Sequence, residues 1–179
     1  MSVKQTSIWW NGVLSDPIKL DRWLIRLYYN EFDAYLRFLD FAGRYCVENS
    51  EEWHLFKFLS LQELRHAEMV LEVIKARRLS LERVNGVERY WDCVLPCIKD
   101  GITAAGVGAL AEGLSLSRMR VILKDKNTPS DLVTLFSLIE PDEGVHAKVL
   151  GVLAGKFGMK SVMDCHNRGL EALGLRIKR

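Results

Sequence analysis

Two tetrapeptides in this chain have the spacing of paired metal ligands. Glu63-Leu64-Arg65-His66 and Glu143-Gly144-Val145-His146 both read Glu-x-x-His. Residues three apart on a helix share a face, with β-carbons about 5 to 6 Å apart, so each motif can present a carboxylate and an imidazole to one cation. The chemistry this suggests is that of a metal centre inside a helical protein.

The motifs need helices to carry them. Ser15-Asp16-Pro17 supplies a cap residue and a proline suited to a first helical turn, and no Gly or Pro follows until Gly43, which predicts a helix over about 17–46. Asn49-Ser50-Glu51-Glu52 starts a second, whose apolar rhythm runs from Leu55 through Ile74 to Arg77-Arg78. After a connection containing Asn85-Gly86, Tyr90-Trp91 and Pro96, a third helix is expected from Ile102 to about Asp125. Thr128-Pro129-Ser130-Asp131 reads as a cap with proline at the first position, opening a fourth helix through Pro141 to about Ala154. A shorter helix is expected over about 160–173, and strand signals are nearly absent. The fold class is therefore all-α: a four-helix bundle with one long crossover between its second and third helices and a short extra helix at the end. A single domain over 1–179 is expected, with its bundle core at about 17–155.

Folding the first two helices about residue 47 brings position 31 level with position 63. Folding the next two about 127–128 brings 112 level with 143. Both partners are glutamates, Glu31 and Glu112. Each motif glutamate then lies about 24 Å from its turn at 1.5 Å per residue, deep within the bundle. The halves repeat: Glu31, Glu63 and His66 recur as Glu112, Glu143 and His146 at offsets of 81, 80 and 80 residues, which implies a pseudo-twofold arrangement. Four carboxylates and two histidines at one level would be prohibitively costly to bury without cations, and two divalent metals remove that cost.

These six residues resemble the ligand pattern of the ferritin-like di-iron carboxylate superfamily, a pattern described in general form for helix bundles. The resemblance spans roughly 17–155. It implies that Glu31, Glu63 and His66 serve one iron, and Glu112, Glu143 and His146 the other, with Glu63 and Glu143 the usual bridging pair. Oxygenase members often carry Asp before the motif's Glu and Arg before its His, to orient the histidines. This chain matches at Arg65 and Asp142 but has Gln62 and Val145 at the other two positions. Asp142 and Arg65 read equally as an ordinary buried salt bridge. The additional glutamate that rubrerythrin-like peroxidases place one turn from the single glutamate of the third helix is missing, since the neighbours of Glu112 there are Ala109 and Ser115.

The branch most similar is the oxygenase and oxidase group that includes aldehyde-deformylating oxygenase and tRNA hydroxylase-type proteins. By that resemblance the chain is an oxidoreductase that activates O2 as co-substrate at two Fe ions and oxidises a small, largely apolar organic molecule. Manganese suits the same ligands at one or both positions. No flavin or nicotinamide motif is present, so electrons come from an external donor such as a ferredoxin or a reductase, or from the substrate. The alternative reading is an iron-oxidising or peroxide-detoxifying protein of the rubrerythrin or ferritin kind. A metal-free helical interaction module is the third.

Residues around the six ligands bear on the pocket. Leu27, Tyr28, Ala34 and Tyr35 share the face of Glu31, so the pocket should be mainly apolar, with Tyr28 and Tyr35 as candidate catalytic phenols or simply core aromatics. The third helix follows Gly101 and contains Gly106, Gly108 and Gly113, each interior glycine costing about 1 kcal/mol relative to alanine. Close helix packing or open volume beside the metals at Gly108 and Ala109 would account for them equally. Pro141 removes one backbone donor, leaving a carbonyl near Phe136 or Ser137 without its usual partner.

Composition sets outer bounds. With 179 residues, 49% hydrophobic and 27% charged, the chain is neither disordered nor repetitive. A net charge of +2 argues against nucleic acid binding by bulk charge, although a tRNA substrate stays open and the basic end Leu175-Arg176-Ile177-Lys178-Arg179 could meet something acidic. No membrane span or secretory signal is expected, and Cys46, Cys93, Cys97 and Cys165 lack Cys-x-x-Cys spacing, which suggests free thiols in a cytoplasmic protein. Trp9, Trp10, Trp53 and Trp91 are candidates for a homodimer surface or for capping the bundle.

Overall fold

The computed structural model describes residues 3–82, 89–155 and 159–175. In chain order the helices are α1 (Val3–Leu14), α2 (Pro17–Tyr45), α3 (Glu51–Ala76), α4 (Arg89–Val94), α5 (Gly101–Lys124), α6 (Ser130–Ala154) and α7 (Met159–Ala172), with a 3-10 turn over Leu95–Cys97. No strand occurs among the described residues. Asn85-Gly86, Gly158 and the basic residues 176–179 lie outside them.

Local chemistry sets the helix ends. Asp16 accepts the Ile18 N–H at 2.9 Å and Pro17 fills the first turn of α2, where no donor is needed. Ser50 caps α3 by accepting Trp53 N–H at 3.2 Å, and Asp100 caps α5 through Thr103 N–H at 2.7 Å. The expected cap at α6 is different. Pro129 occupies the cap position and makes no side-chain cap bond, whereas the Thr128 hydroxyl donates to Ile122 O at 2.7 Å and accepts from Trp10 Nε1 at 3.0 Å. Thr128 is recruited by α1, a helix the sequence reading did not anticipate. α6 runs unbroken through Pro141, which is exposed. The Ser137 carbonyl it leaves without a helical donor belongs to an exposed residue, at the helix surface.

Four long helices pack as two hairpins. α2 lies against α3 and α5 against α6, and the hairpins meet mainly across α3 and α6, with a smaller contact between α2 and α5. A two-pronged ion pair from Arg77 at the end of α3 to Asp131 at the start of α6, at 2.7 and 2.9 Å, ties the hairpins at one end. α1 packs on α2 and α5, and α7 on α4 and α5. Trp10 is fully buried among Trp9, Trp23 and their neighbours, so it seals the bundle and is not a dimer surface. No helix among the described residues is long and apolar enough to cross a membrane, and all four cysteines are free.

The apolar core is divided in two. Phe38, Phe41, Phe56, Leu59, Val107, Leu150 and Val162 belong to one cluster. Trp10, Leu24, Val70, Ile74, Met119, Leu132, Phe136 and Ile139 belong to the other. On every long helix the polar residues of interest fall between the two: Glu31 on α2, Glu63 and His66 on α3, Glu112 on α5, Glu143 and His146 on α6. A buried polar layer sandwiched this way is shielded from water on both sides.

Candidate metal centre

All six residues are buried. Glu31 and Glu112 are 7% and 9% exposed, and Glu63, His66, Glu143 and His146 are at most 1%. Their ligand atoms form two overlapping sets, Glu31, Glu63, His66 and Glu143 in one, and Glu63, Glu112, Glu143 and His146 in the other. Within each set all atoms lie within 4.8 Å of one another. Donors on opposite sides of one ion stand roughly 4 Å apart when each bond is about 2 Å, so either set can surround a cation. Glu63 and Glu143 belong to both sets, and each set adds one private glutamate and one histidine. The two imidazole rings face each other with centroids 5.7 Å apart.

The rings point the same nitrogen inward. His66 Nδ1 lies 3.4 Å from Glu143 Oε1 and 3.6 Å from Glu63 Oε2, and His146 Nδ1 lies 2.8 Å from Glu63 Oε1. Despite that proximity, His66 Nδ1, His146 Nδ1, Glu63 Oε1 and Glu143 Oε2 are buried without any aligned hydrogen bond. Buried polar atoms are seldom left this way, and here the unmatched nitrogen and oxygen atoms belong to the same two ligand sets. Four carboxylates balance the charge of two divalent cations. The residues therefore fit a pair of metal ions.

Protonation reflects the same crowding. Burial drives the Glu31, Glu112 and Glu143 carboxyls well above their ordinary range, and neighbouring glutamate charge adds to it, from Glu63 on Glu31 and Glu143 and from Glu143 on Glu112. Burial also acts upward on Glu63, but close contact with His146 and His66 outweighs it and brings Glu63 down to about 2. His66 is opposed by burial, yet contact with Glu63, then Glu31 and Asp142, lifts it to about 9.

Outer partners hold the rings. His66 Nε2 lies 3.3 Å from Asp142 Oδ2, and Arg65 NH1 lies 3.7 Å from the same oxygen. His146 Nε2 lies 2.9 Å from Gln62 Oε1. The pairing is crossed: the residue before each motif glutamate holds the histidine of the other motif. Asp142 therefore faces the His66 ring, and the expected buried salt bridge with Arg65 is not buried: Arg65 is largely exposed and its long ion pair sits at the rim. Gln62 was legible only as a departure from the family pattern. The repeat offset of 80 residues, which matches Gln62 to Asp142, was the signal of its place.

The small residues of α5 resolve unevenly. A β-carbon at Gly106 would stand 2.5 Å from Val162 Cγ2, and one at Gly108 would stand 3.1 Å from Leu150 and 3.7 Å from Phe38. At these two positions the glycines serve close packing, the first of the two alternatives, and the Gly108 face is filled by side chains. At Gly113 a β-carbon would meet nothing within 4 Å.

Tyr28 and Tyr35 are half-buried in a row of rings along α2, where Tyr28 stacks on Phe32 at 6.2 Å and Phe32 meets Tyr35 at 5.8 Å. Among the described residues neither hydroxyl forms a hydrogen bond to the six. A different phenol has a buried polar partner. Tyr90 Oη and His166 Nδ1 are 2.6 Å apart in the interior, and burial, followed by the charge of Glu112, pushes the phenol far above its ordinary value. No sequence signal joins these two, because they are 76 positions apart and meet only where α7 covers α4. Comparison of the chain with protein-family models, with curated proteins and with solved structures gives no match, so the reading of this centre stands on its geometry.

Proposed function

We propose that this chain is a ferritin-like, non-haem di-iron oxidoreductase that activates O2 to oxidise a small, largely apolar organic molecule. The observation that carries the reading is the set of four carboxylates and two inward-facing Nδ1 atoms buried at one level, with Glu63 Oε1, Glu143 Oε2 and both Nδ1 atoms unmatched by hydrogen bonds. Glu31 and His66 would complete one position and Glu112 and His146 the other, with Glu63 and Glu143 shared. Iron bound there would supply two adjacent one-electron centres; carboxylates, as hard anionic ligands able to move between terminal and bridging modes, suit it, and manganese fits the same donors.

The chain's own residues have separable tasks. Gln62 and Asp142 accept the Nε2 protons of His146 and His66, so that Nδ1 keeps its lone pair for a cation. The two apolar clusters exclude water from the layer between them, which strengthens every electrostatic contact inside it. Electrons would come from an external donor such as a ferredoxin or a reductase, or from the substrate itself.

A second reading rests on a specific observation. Val162 fills the Gly106 face of α5, and Leu150 and Phe38 fill the Gly108 face, so these faces offer no space to an organic substrate, which suits an iron-oxidising or peroxide-removing protein. One experiment separates the readings. Protein loaded anaerobically with Fe(II) is exposed to O2 with and without candidate apolar substrates. Two iron ions per chain and O2 uptake coupled to an oxidised organic product are expected. Ferric mineral or peroxide loss without product would favour the second reading, and the absence of bound metal would remove both.

A further inference from the structure

We infer that Gln62 makes the two metal positions unequal, leaving the one served by Glu112 and His146 the weaker and the last to fill. The inference rests on the di-metal reading above and concerns its internal order.

The direct ligands cannot distinguish the positions. Each takes the shared Glu63 and Glu143, one private glutamate and one Nδ1. Both private glutamates are buried, at 7% and 9% exposure, and both histidines are fully buried. The difference lies one bond further out. His66 Nε2 faces a carboxylate oxygen of Asp142, whereas His146 Nε2 faces the amide oxygen of Gln62.

An imidazole whose outer N–H is held by an anion is a stronger donor at its inner nitrogen than one held by a neutral amide, because the anion stabilises the positive charge that coordination places on the ring. The amide contact is the shorter, at 2.9 Å against 3.3 Å, but it carries no net charge. Arg65 offsets Asp142 only in part, standing 3.7 Å away with its side chain 60% exposed, where solvent screens it. The net preference goes to the His66 position.

Gln62 is thus a positioning residue with a second property: it withholds a charge that the matching residue of the other half supplies. It also fixes orientation. For the amide oxygen to face His146 the ring must carry its proton on Nε2, so the tautomer presented to the cation is set even at the weaker position.

Titration of the metal-free protein with Co(II), followed by its visible ligand-field absorption, tests this without turnover. Wild type is expected to bind two ions in two steps separated by about tenfold or more, the usual scale of outer-partner effects on metal affinity. Glu31→Gln should delete the tight step and Glu112→Gln the weak one, which assigns them. Gln62→Glu should tighten the weak step about tenfold and shift its absorption band, while Asp142→Asn should weaken the tight step 10- to 100-fold and leave the other band in place. Thermal melts of each metal-free variant confirm a folded chain. Two ions bound with indistinguishable affinity, a tight step lost in Glu112→Gln, or a Gln62→Glu titration identical to wild type would overturn the inference and leave the metal centre standing. No Co(II) bound by any folded form would overturn the metal reading and this inference with it.

Discussion

The two hairpins bring matching ligands to one level from dissimilar helices. Around Glu31, α2 places rings: Tyr28, Tyr29, Phe32 and Tyr35 form a continuous aromatic row. Around Glu112, α5 places Gly108, Ala109, Gly113 and Ser115. The difference follows from what each helix must accommodate. α5 carries α7 on its outer side, and Val162 approaches so closely at Gly106 that no side chain fits between them. On α2 and α5 the centre constrains one residue each, Glu31 and Glu112, and the rotation of the helix about its axis. It leaves the neighbours free to answer other packing demands.

The comparison is broken most severely at the shared carboxylates. Glu63→Ala and Glu143→Ala should each cost both metal positions, whereas Glu31→Ala and Glu112→Ala should each cost one, as read by metal content per folded chain. Equal losses from all four would mean that the glutamates are not divided into shared and private.

Removal of metal should expose the protonation of the layer. Glu31, Glu112 and Glu143 have folded values raised above their unfolded ones, so the stability they contribute is present at low pH and is lost as pH rises from about 4.5. His66 has the same sign, with its contribution complete below about 6.5 and lost as pH rises to about 9. Glu63 opposes them only in acid, where its contribution is lost as pH falls through the range from 4.5 to about 2. The metal-free protein should therefore melt at progressively lower temperature between pH 5 and pH 9. Loading with a divalent metal should flatten this dependence and release protons, measurable in weakly buffered solution.

A smaller effect separates two glycines of α5. Gly106→Ala should destabilise by about 1 to 3 kcal/mol, because Val162 must move for the new methyl group. Gly113→Ala, with nothing within 4 Å of the added carbon, should stabilise by up to about 1 kcal/mol through helix propensity. Denaturant melts of the two variants check the sign reversal. An effect of similar size is expected for Thr128→Val, which removes the acceptor for Trp10 and a bond to Ile122 O and should cost about 1 to 2 kcal/mol.

Much of this layout was legible beforehand. The four long helices fall close to their expected limits because proline, cap residues and 3.6-residue periodicity act locally. The six polar residues fall at one level because equal distances from a hairpin turn map to equal heights along antiparallel helices. α1 was not legible, since Trp9-Trp10 gives no periodic stripe of its own and the helix is held by Thr128, more than a hundred positions away. The Gly108 face was ambiguous for a related reason: a glycine leaves space, and only the approach of Leu150 and Phe38 shows what fills it.

Spacing alone decided which donors exist, which helices bear them and how high each stands, because rise per residue and turn position are properties of one chain segment at a time. Tertiary packing decided that Glu63 and Glu143 fall within reach of both histidines, that Gln62 holds His146 while Asp142 holds His66, and that Tyr90 finds His166. Those pairings depend on how far each helix is rotated and shifted against its neighbour, quantities set by the shapes of interlocking side chains and carried by no residue interval.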